Sequence, residues 1–294
     1  MTIDTAVFLL SGYGTRLFPI TKSIPKSMLH VVNKPLIQYV FDEVIEAGIR
    51  RCIFILNNFS QPLIDYFNDN EVLNAELSRI GQSELINTIR ASVPGGVRCD
   101  FIVREHRQEI DHAICSAYEL MNEKKPLLVI YPDELFDIEM QNPSKDLIDA
   151  YSNNECNIIA VKEVHKSAIG TNGIFDLEES SSSAMRIKNI YTNPDQINSE
   201  FLPISVGRYI YSPTWLDHTQ QLFNKGEKIN IGLLIQQAIL SNALYAVNIS
   251  SPRFDCGSLS GLFEANLYFY LNHPELKHSA VSIINKYSNL SDSR

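Results

Sequence analysis

The chain has 294 residues, of which 45% are hydrophobic, and a formal net charge of −9. This length and apolar content suit one large globular α/β domain or two smaller ones. The excess of acidic residues argues against nucleic acid or an anionic membrane surface as the main partner, because both reward a broad basic face. Small anionic ligands stay possible, since they need only a local positive field.

The cysteines and the N-terminal residues indicate a cytoplasmic protein. The five cysteines are odd in number, widely spaced and form no Cys-x-x-Cys pair, so neither a disulfide framework nor a zinc site is predicted. The N-terminal apolar run is too short for a signal peptide, and no stretch approaches the length of a membrane span. We therefore expect a soluble protein in a reducing compartment.

The beginning of the chain predicts a strand, a turn, a helix and a second strand. Residues 6–10 form a continuous apolar run, which is typical of a strand covered on both faces. Apolar residues at helical spacing follow Pro35 and stop at Gly48, and residues 52–56 form the next buried strand. This order predicts a right-handed crossover and the start of a doubly wound parallel sheet.

The remaining chain continues the alternation of strands and helices. Apolar runs predict strands at residues 99–103, 127–131, 158–161, 185–187, 204–211 and 243–248. Helical spacing predicts one or two helices within 62–90 and further helices at 110–121, after Pro213, at 229–240 and at 259–271. A serine cluster at 180–183 is predicted to be a loop tip, and the tail after Asn289 to be frayed. We expect a three-layer, Rossmann-like α/β fold around a mainly parallel mixed sheet, with a smaller lobe inserted after the fourth strand.

Residues 5–41 carry four cations and no acidic residue, although the whole chain is acidic. These cations are Arg16, Lys22, Lys26 and Lys34. Next to a glycine turn at a strand end, such a stretch predicts a polyanion site. Gly12 and Gly14 allow backbone N–H groups to approach a triphosphate, while Arg16 and Lys26 can neutralise the charge that builds up as a phosphate bond breaks. The alternative is a tight turn with solvated cations.

Two aspartates are candidates for a magnesium site. Asp133 follows the fourth predicted strand, and ligands of open parallel sheets bind just past the carboxyl ends of strands. Asp255 precedes Cys256 and Gly257 in a predicted turn. Magnesium takes one or two carboxylates from the protein and leaves its other positions to phosphates and water. The alternative is a pair of ordinary loop acids, and Glu134, beside Asp133, is expected to be solvated.

Several motifs occur together along the chain, and their order and spacing are informative. They lie at residues 11–19, 21–22, 24–29, 33–40, 46–49, 132–133, 206–209 and 255–257. In this order they resemble the bacterial UTP–glucose-1-phosphate uridylyltransferases, a family of sugar nucleotidyltransferases. The resemblance covers nearly the whole chain, and its N-terminal block is the most specific part.

The resemblance implies a nucleotidyltransferase fold and a defined reaction. A nucleotidyltransferase of this kind condenses UTP with glucose 1-phosphate to give UDP-glucose and pyrophosphate, with Mg²⁺ as cofactor. The sugar phosphate attacks the α-phosphorus in line, and no covalent enzyme intermediate is needed. The product is a precursor of cell-envelope polysaccharides. Members of the family are usually homo-oligomers, so a dimer or a tetramer is expected. The acidic composition predicts no nucleic-acid or membrane partner.

The resemblance also implies roles for individual residues. The catalytic pair would be Arg16 and Lys26. The nucleotide would be bound by Ser11, Gly12, Gly14, Thr15, Arg16 and Lys26. The sugar phosphate would be bound by Gly173, Lys188 and Asn193, and the metal by Asp133 and Asp255. Within a single domain, 1–294, this divides the chain into a nucleotide-binding half, 1–135, a sugar-phosphate-binding part, 136–257, and a C-terminal helical segment, 258–294.

Three departures from the family pattern concern substrate recognition. Ser27 stands where the family has a glutamate that helps to hold the nucleotide. The base-reading segment, including residues 105–111, is one residue shorter and lacks the family's glycines. Asn193 stands in place of the lysine of a Glu-Lys-Pro motif, and Lys188 is the nearby cation in sequence. Three hypotheses follow: a uridylyltransferase acting on glucose 1-phosphate, an enzyme of another base or sugar specificity, and a catalytically weakened paralogue that acts as a binding or regulatory subunit.

Overall fold

The computed structural model describes residues 2–104, 110–121, 123–169, 173–178, 183–227, 229 and 231–288. Its strands are β1 (Thr5–Leu9), β2 (His30–Val31), β3 (Lys34–Pro35), β4 (Arg51–Asn57), β5 (Arg98–Arg104), β6 (Leu127–Ile130), β7 (Glu134–Phe136), β8 (Asn157–His165), β9 (Ile174–Leu177), β10 (Met185–Tyr191), β11 (Phe201–Tyr211), β12 (Leu244–Asn248) and β13 (Arg253–Asp255). Its helices are α1 (Leu36–Glu46), α2 (Gln61–Phe67), α3 (Glu71–Arg79), α4 (Ser83–Arg90), α5 (Ile110–Glu119), α6 (Pro143–Asn154), α7 (Pro213–Asn224), α8 (Ile231–Leu240), α9 (Leu259–Asn272) and α10 (Lys277–Tyr287).

One mixed sheet organises the molecule, with the strand order β5-β4-β1-β6-β11-β8-β12-β10-β9. The first four of these strands are mutually parallel. Strand β11 then runs antiparallel to both β6 and β8, β12 pairs in parallel with β8, and β10 and β9 follow antiparallel. The predicted α/β fold is thus confirmed, with its parallel pairing concentrated in the N-terminal half.

Strand β1 is buried on both faces, which makes the architecture three-layered. Ala6 and Phe8 belong to one apolar cluster, which includes the inward face of α1. Val7 and Leu9 belong to a second cluster, on the side of α5 and α7. Alternate residues of a strand point to opposite faces of its sheet, so a continuous apolar run is required where helices cover both sides.

The helices agree with their sequence pattern, with one correction. Helix α1 begins after Pro35 and ends before Gly48, whose φ of 97° is unfavourable for any residue with a side chain. The region 62–90 contains three helices, α2, α3 and α4, so the prediction of one or two was wrong. The extra boundary arises because the Asn70 side chain accepts a hydrogen bond from the Leu73 N–H and starts a new helix.

Two sequence predictions cannot be compared with the fold in full. Residues 180–182 of the serine cluster, and the tail from 289 onward, lie outside the described residues. Among the residues that are described, no helix combines the length and the apolar character needed to cross a membrane.

A small second sheet joins the middle of the chain to its C-terminal part. Strand β7 follows β6 after a three-residue connection and pairs antiparallel with β13, with Glu134 opposite Asp255. Strands β1 and β6 are parallel neighbours in the large sheet, so their carboxyl ends lie at the same end of it. The loop after β1 and the β7–β13 pair therefore lie at that end. That end contains the candidate site.

Candidate active site

The loop after β1 is shaped by Gly14, which adopts a left-handed conformation with φ 64°. A Cβ on Gly14 would lie 3.1 Å from Cβ of Lys26 and 3.2 Å from Cγ2 of Thr21, so the loop folds back tightly on itself. The Thr21 hydroxyl donates a hydrogen bond of 2.9 Å to the Gly14 carbonyl. The end of the Lys26 side chain passes over Gly12, with Cε and Nζ each 3.9 Å from the position of a Cβ there. The two glycines therefore bring the loop against Lys26.

Two ion pairs connect this loop to the two candidate metal-binding acids. Lys26 Nζ lies 2.7 Å from Asp133 Oδ2, and the two side chains are 19% and 22% exposed. Arg16 Nη1 lies 3.6 Å from Asp255 Oδ2, in a more open position with 66% and 37% exposure. The four side chains thus converge as predicted, although 107 residues separate Lys26 from Asp133 along the chain.

The other two cations of the 5–41 stretch do not join this group. Lys34 pairs with Asp42 at 2.9 Å, and Lys22 lies exposed on the loop. The cationic stretch therefore supplies two of its four cations to the site.

Asp133 and Asp255 are held together by backbone contacts. The Cys256 N–H donates a hydrogen bond of 2.9 Å to the Asp133 carbonyl. The Gly257 N–H donates a hydrogen bond of 3.0 Å to Asp255 Oδ1. Together with the β7–β13 pairing, these bonds fix both carboxylates on neighbouring segments.

Gly257 provides the space in which the charged groups meet. A Cβ at this position would lie 2.6 Å from Arg16 Nη2, 3.0 Å from Asp255 Oδ1 and 3.1 Å from Asp133 Oδ2. Any side chain would therefore displace at least one of them. We define the crevice cluster as Arg16, Lys26, Asp133 and Asp255 around Gly257.

The donor set of the crevice cluster fits a hard divalent cation. Two carboxylate oxygens face the small space that Gly257 leaves open. Within the described residues, no group of three or more His, Cys, Asp or Glu side chains could hold a metal ion. Two carboxylates without histidine or thiolate are the protein contribution expected for Mg²⁺, whose remaining ligands come from phosphates and water.

The charge of Asp133 is maintained by its surroundings. Burial raises the pKa of this carboxyl, but the charge and hydrogen bond of Lys26, with a smaller contribution from Arg16, outweigh burial and lower the pKa below its ordinary value. Asp133 is therefore anionic at neutral pH and able to bind a cation.

A cavity of about 570 Å³ opens beside the loop, at the carboxyl ends of β1 and β4. Its lining includes Gly12, Tyr13, Thr15, Lys26 and Phe59. Tyr13 and Phe59 form an edge-to-face pair with ring centroids 6.0 Å apart, and both rings are exposed. The cavity thus combines aromatic surface with the cationic end of Lys26.

The three predicted sugar-phosphate residues make local contacts instead. Lys188 Nζ lies 3.4 Å from Asp176 Oδ1 on the neighbouring strand β9. Gly173 packs against Ile190, whose Cδ1 would be 2.9 Å from a Cβ at 173. We define the hairpin set as Gly173, Lys188 and Asn193.

The remaining predictions for the site concern Asn193 and the base-reading segment. Asn193 starts the short 3-10 helix Pro194–Gln196, and its Oδ1 accepts a hydrogen bond from the Asp195 N–H. The base-reading segment cannot be compared, because residues 105–109 lie outside the described residues.

The match to a known family covers most of the chain. The model of the family described as nucleotidyl transferase matches residues 5–270. The chain belongs to the nucleotidyl transferase family. The predicted relationship to sugar nucleotidyltransferases is confirmed.

This nucleotidyl transferase is similar over nearly its full length to proteins of bacteria. It is 27% identical to UTP–glucose-1-phosphate uridylyltransferase 1 of Staphylococcus saprophyticus, with 97% of this chain and 98% of that protein covered. It is 28% identical to UTP–glucose-1-phosphate uridylyltransferase of Pseudomonas aeruginosa, with 92% and 97% covered. The solved structure of a UTP-bound UGPase from Acinetobacter baumannii is 27% identical, has a TM-score of 0.85 and covers 96% of this chain and 99% of that one.

One residue of the nucleotidyl transferase site contradicts its prediction. Glu134 was expected to be solvated, yet its side chain is 15% exposed and both its oxygens lie 2.5 Å from the Arg253 guanidinium. The expectation was wrong because β7 and β13 bring residues 134 and 253 together across 119 positions. Alternate residues of a strand share a face, so Arg253 lies on the same face of β13 as Asp255, and Asp255 pairs with Glu134.

Gly257 was predicted only as a turn residue, and its importance was missed. The conformation of a turn can be recognised from the sequence, but the three charged groups that approach this glycine come from other segments. The Asp-Cys-Gly motif at 255–257, one of the motifs that carry the family resemblance, was the available sign.

Proposed function

We propose that this nucleotidyl transferase condenses UTP with glucose 1-phosphate to give UDP-glucose and pyrophosphate. The names of the relatives support this reaction, and the similarity extends over nearly the whole length of the chains. The observation that carries the proposal is the convergence of two cations and two carboxylates on the space beside Gly257. Such a site suits phosphoryl chemistry, in which positioning and charge stabilisation dominate.

In the proposed reaction, a phosphate oxygen of glucose 1-phosphate attacks the α-phosphorus of UTP. The bond between the α-phosphorus and the bridging oxygen to the β-phosphorus breaks, and pyrophosphate leaves with that electron pair. Negative charge grows on the phosphate oxygens during this exchange. Arg16 and Lys26 would stabilise it, since their ion pairs with Asp255 and Asp133 hold both cations at the crevice. No side chain needs to form a covalent bond.

We assign Asp133 and Asp255 as the protein ligands of Mg²⁺. When bound, the ion neutralises phosphate charge and polarises the bonds to the α-phosphorus. The lowered pKa of Asp133 keeps its carboxylate available for the ion at neutral pH. Lys26 and Arg16 pair with the two acids, so the formal charges of the crevice cluster cancel.

In this proposal the nucleotide occupies the cavity beside Lys26. The connection between β1 and β2 contains Ser11, Gly12, Gly14 and Thr15. Arg16 and Lys26 belong to the same connection, and Lys26 packs against its glycines. The loop is already bent into its conformation by Gly14 and by the Thr21 hydrogen bond. A preformed loop lowers the entropy cost of ordering a charged ligand.

A different base or sugar specificity is the second candidate function. Ser27 is 4% exposed, so the position of the family's nucleotide-holding glutamate presents little polar surface. Asn193 uses its side-chain oxygen to cap a short helix and provides no cation. We propose that Gly173, Lys188 and Asn193 face the sugar phosphate, within the part 136–257, and that Lys188 supplies its counter-charge.

A pyrophosphate-release assay tests the proposal directly. The purified chain would be incubated with Mg²⁺, each of the four nucleoside triphosphates and a panel of sugar 1-phosphates. Highest turnover with UTP and glucose 1-phosphate supports the first candidate, while a different best pair supports the second. Absence of pyrophosphate with every pair, from a folded protein, would contradict both and favour a binding or regulatory role.

We also propose a cytoplasmic homo-oligomer, a dimer or a tetramer. In the described part of the chain no disulfide joins the cysteines, which is compatible with a reducing compartment. Light scattering of the purified chain measures the oligomeric state, and a monomer at micromolar concentration would contradict this part of the proposal.

A further inference from the structure

A buried arginine lies directly behind the segment that carries Asp133. Arg208 on β11 is 0% exposed, and its partner Glu43 on α1 is 2% exposed. Nη2 and Nε of Arg208 lie 2.7 Å and 3.0 Å from the two Glu43 oxygens, and the Ser144 hydroxyl donates to one of them at 2.5 Å. Replacing such a buried pair by apolar side chains is often neutral or stabilising. Stability is therefore a weak explanation for the pair.

The same guanidinium holds the backbone on both sides of Asp133. Arg208 Nη1 donates to the Tyr131 carbonyl at 3.1 Å, and Nη2 donates to the Glu134 carbonyl at 2.8 Å. The segment between them belongs to neither β6 nor β7, and Pro132 has no N–H to donate. The planar fork of an arginine can hold two carbonyls at once, whereas a lysine nitrogen acts as a single point charge.

The backbone of β11 is shaped to direct Arg208 inward. The pairing of β11 with β8 changes register between Ser205 and Tyr209, and Gly207 in this irregularity has φ 74°. The Tyr131 N–H donates to the Gly207 carbonyl at 2.9 Å. Bulges of this kind redirect a side chain at functional sites. The irregular strand, the glycine and the arginine all contact the connection before Asp133.

We propose that Arg208, anchored by Glu43, is a positioning residue that sets the affinity of the Asp133 site for Mg²⁺. This inference rests on the proposed function, because it assumes that Asp133 binds the ion together with UTP. Arg208 touches neither substrate nor metal in this proposal. It fixes the two carbonyls that flank Asp133, and thereby the direction of the carboxylate toward Asp255.

The test compares UTP binding by calorimetry in EDTA and across a series of Mg²⁺ concentrations. Arg208→Lys keeps the positive charge beside Glu43 and removes the fork. UTP binding in EDTA should stay unchanged, because Arg16 and Lys26 are intact. The Mg²⁺ concentration that gives half of the magnesium-dependent gain in UTP affinity should rise about 10- to 100-fold, the usual effect of losing a residue that supports a metal ligand.

Two further variants separate positioning from stability. The double variant Glu43→Met/Arg208→Met removes both buried charges together and leaves neither unpaired, so its thermal midpoint should fall less than that of Arg208→Met alone, although the hydrogen bonds to two carbonyls are lost. It should nevertheless shift the Mg²⁺ midpoint in the same direction as Arg208→Lys. Ser144→Ala is the matched control, since it removes a hydrogen bond to Glu43 and leaves both carbonyl contacts in place. It should lower the thermal midpoint without moving the Mg²⁺ midpoint.

The outcomes distinguish this inference from the proposed function. A folded Arg208→Lys or double Met variant with the wild-type Mg²⁺ midpoint would overturn the positioning role, while pyrophosphate release by the wild type would still support the reaction. A wild type without magnesium-dependent UTP binding and without pyrophosphate release would overturn both. Folded variants with a raised Mg²⁺ midpoint, and a control without one, establish the positioning role.

Discussion

The crevice cluster and the hairpin set differ in how far apart along the chain their contacting residues lie. In the crevice cluster each charged side chain contacts a group from a distant part of the chain, as Lys26 does with Asp133 at 2.7 Å. In the hairpin set the contacts are local, as those of Lys188 with Asp176 and of Asn193 with Asp195.

This difference separates the crevice cluster, whose geometry is fixed by long-range contacts, from the hairpin set, whose geometry is not. Long-range ion pairs around Gly257 fix the geometry of the crevice, as the proposed charge stabilisation of a transition state requires. The locally satisfied residues of the hairpin set must exchange partners to contact a sugar phosphate. We therefore expect substitutions in the crevice to affect turnover, and substitutions in the hairpin set to affect the KM of one substrate.

The largest expected effect comes from removing a cation of the crevice cluster. Lys26→Ala and Arg16→Ala should each lower turnover by about 10²- to 10³-fold, the typical loss for a preorganised charge at a reacting group. Lys26 should give the larger loss, because its ion pair is shorter and less exposed. Steady-state pyrophosphate release measures both.

Lys124→Ala is the control for these cations, because Lys124 pairs with Asp217 on the surface at 2.6 Å. Its turnover should equal that of the wild type. Near-normal turnover of both Lys26→Ala and Arg16→Ala would contradict the proposed role of the crevice cluster in turnover.

A methyl group at Gly257 should have the next largest effect. In Gly257→Ala the new Cβ would lie 2.6 Å from Arg16 Nη2, so the guanidinium must move. A displacement of this size can reduce turnover by about 10²-fold. The measurement is kcat, together with the thermal midpoint.

Gly95→Ala is a matched control, since a Cβ at Gly95 meets nothing within 4 Å. It should leave kcat unchanged. If the two alanine variants had the same kcat, the space beside Gly257 would have no role in turnover.

In the hairpin set, Lys188→Ala should raise the KM of the sugar phosphate about tenfold, which is the effect of losing one exposed charge-assisted hydrogen bond. The KM of UTP should stay constant. Asp176→Asn removes the competing partner of Lys188 and should leave the KM of the sugar phosphate equal or lower. An unchanged KM for both substrates in Lys188→Ala would exclude Lys188 from the sugar side.

The smallest effect concerns stability at acidic pH. The pKa of Asp133 is lower in the folded chain than in the unfolded chain, where it is about 3.9. Its stabilising contribution is therefore present above the unfolded pKa and lost as the pH falls through the folded pKa. Asp133→Asn should flatten the dependence of the free energy of unfolding on pH below about pH 4.

Urea unfolding at several acidic pH values measures this dependence. Asp176→Asn serves for comparison, since Asp176 lies on β9, outside the crevice cluster. Identical slopes for wild type and Asp133→Asn would contradict the stabilising role of the Lys26 ion pair.

Much of this molecule follows from local sequence patterns. The buried strand β1, the helix α1 between Pro35 and Gly48, and the glycine loop could be predicted because periodicity and turn chemistry act over a few residues. The choice of Arg16, Lys26, Asp133 and Asp255 followed from their positions at a glycine turn and at strand ends, and from the family resemblance.

The pairings within the site were decided by tertiary structure. The antiparallel insertion of β11 beside β6 brings Arg208 behind Asp133, and the β7–β13 pair buries Glu134 against Arg253. An apolar run predicts a strand but neither its direction nor its neighbour, because those depend on how the whole sheet closes its core. The sequence by itself thus determined the elements and the type of chemistry, while the sheet order decided which charges meet.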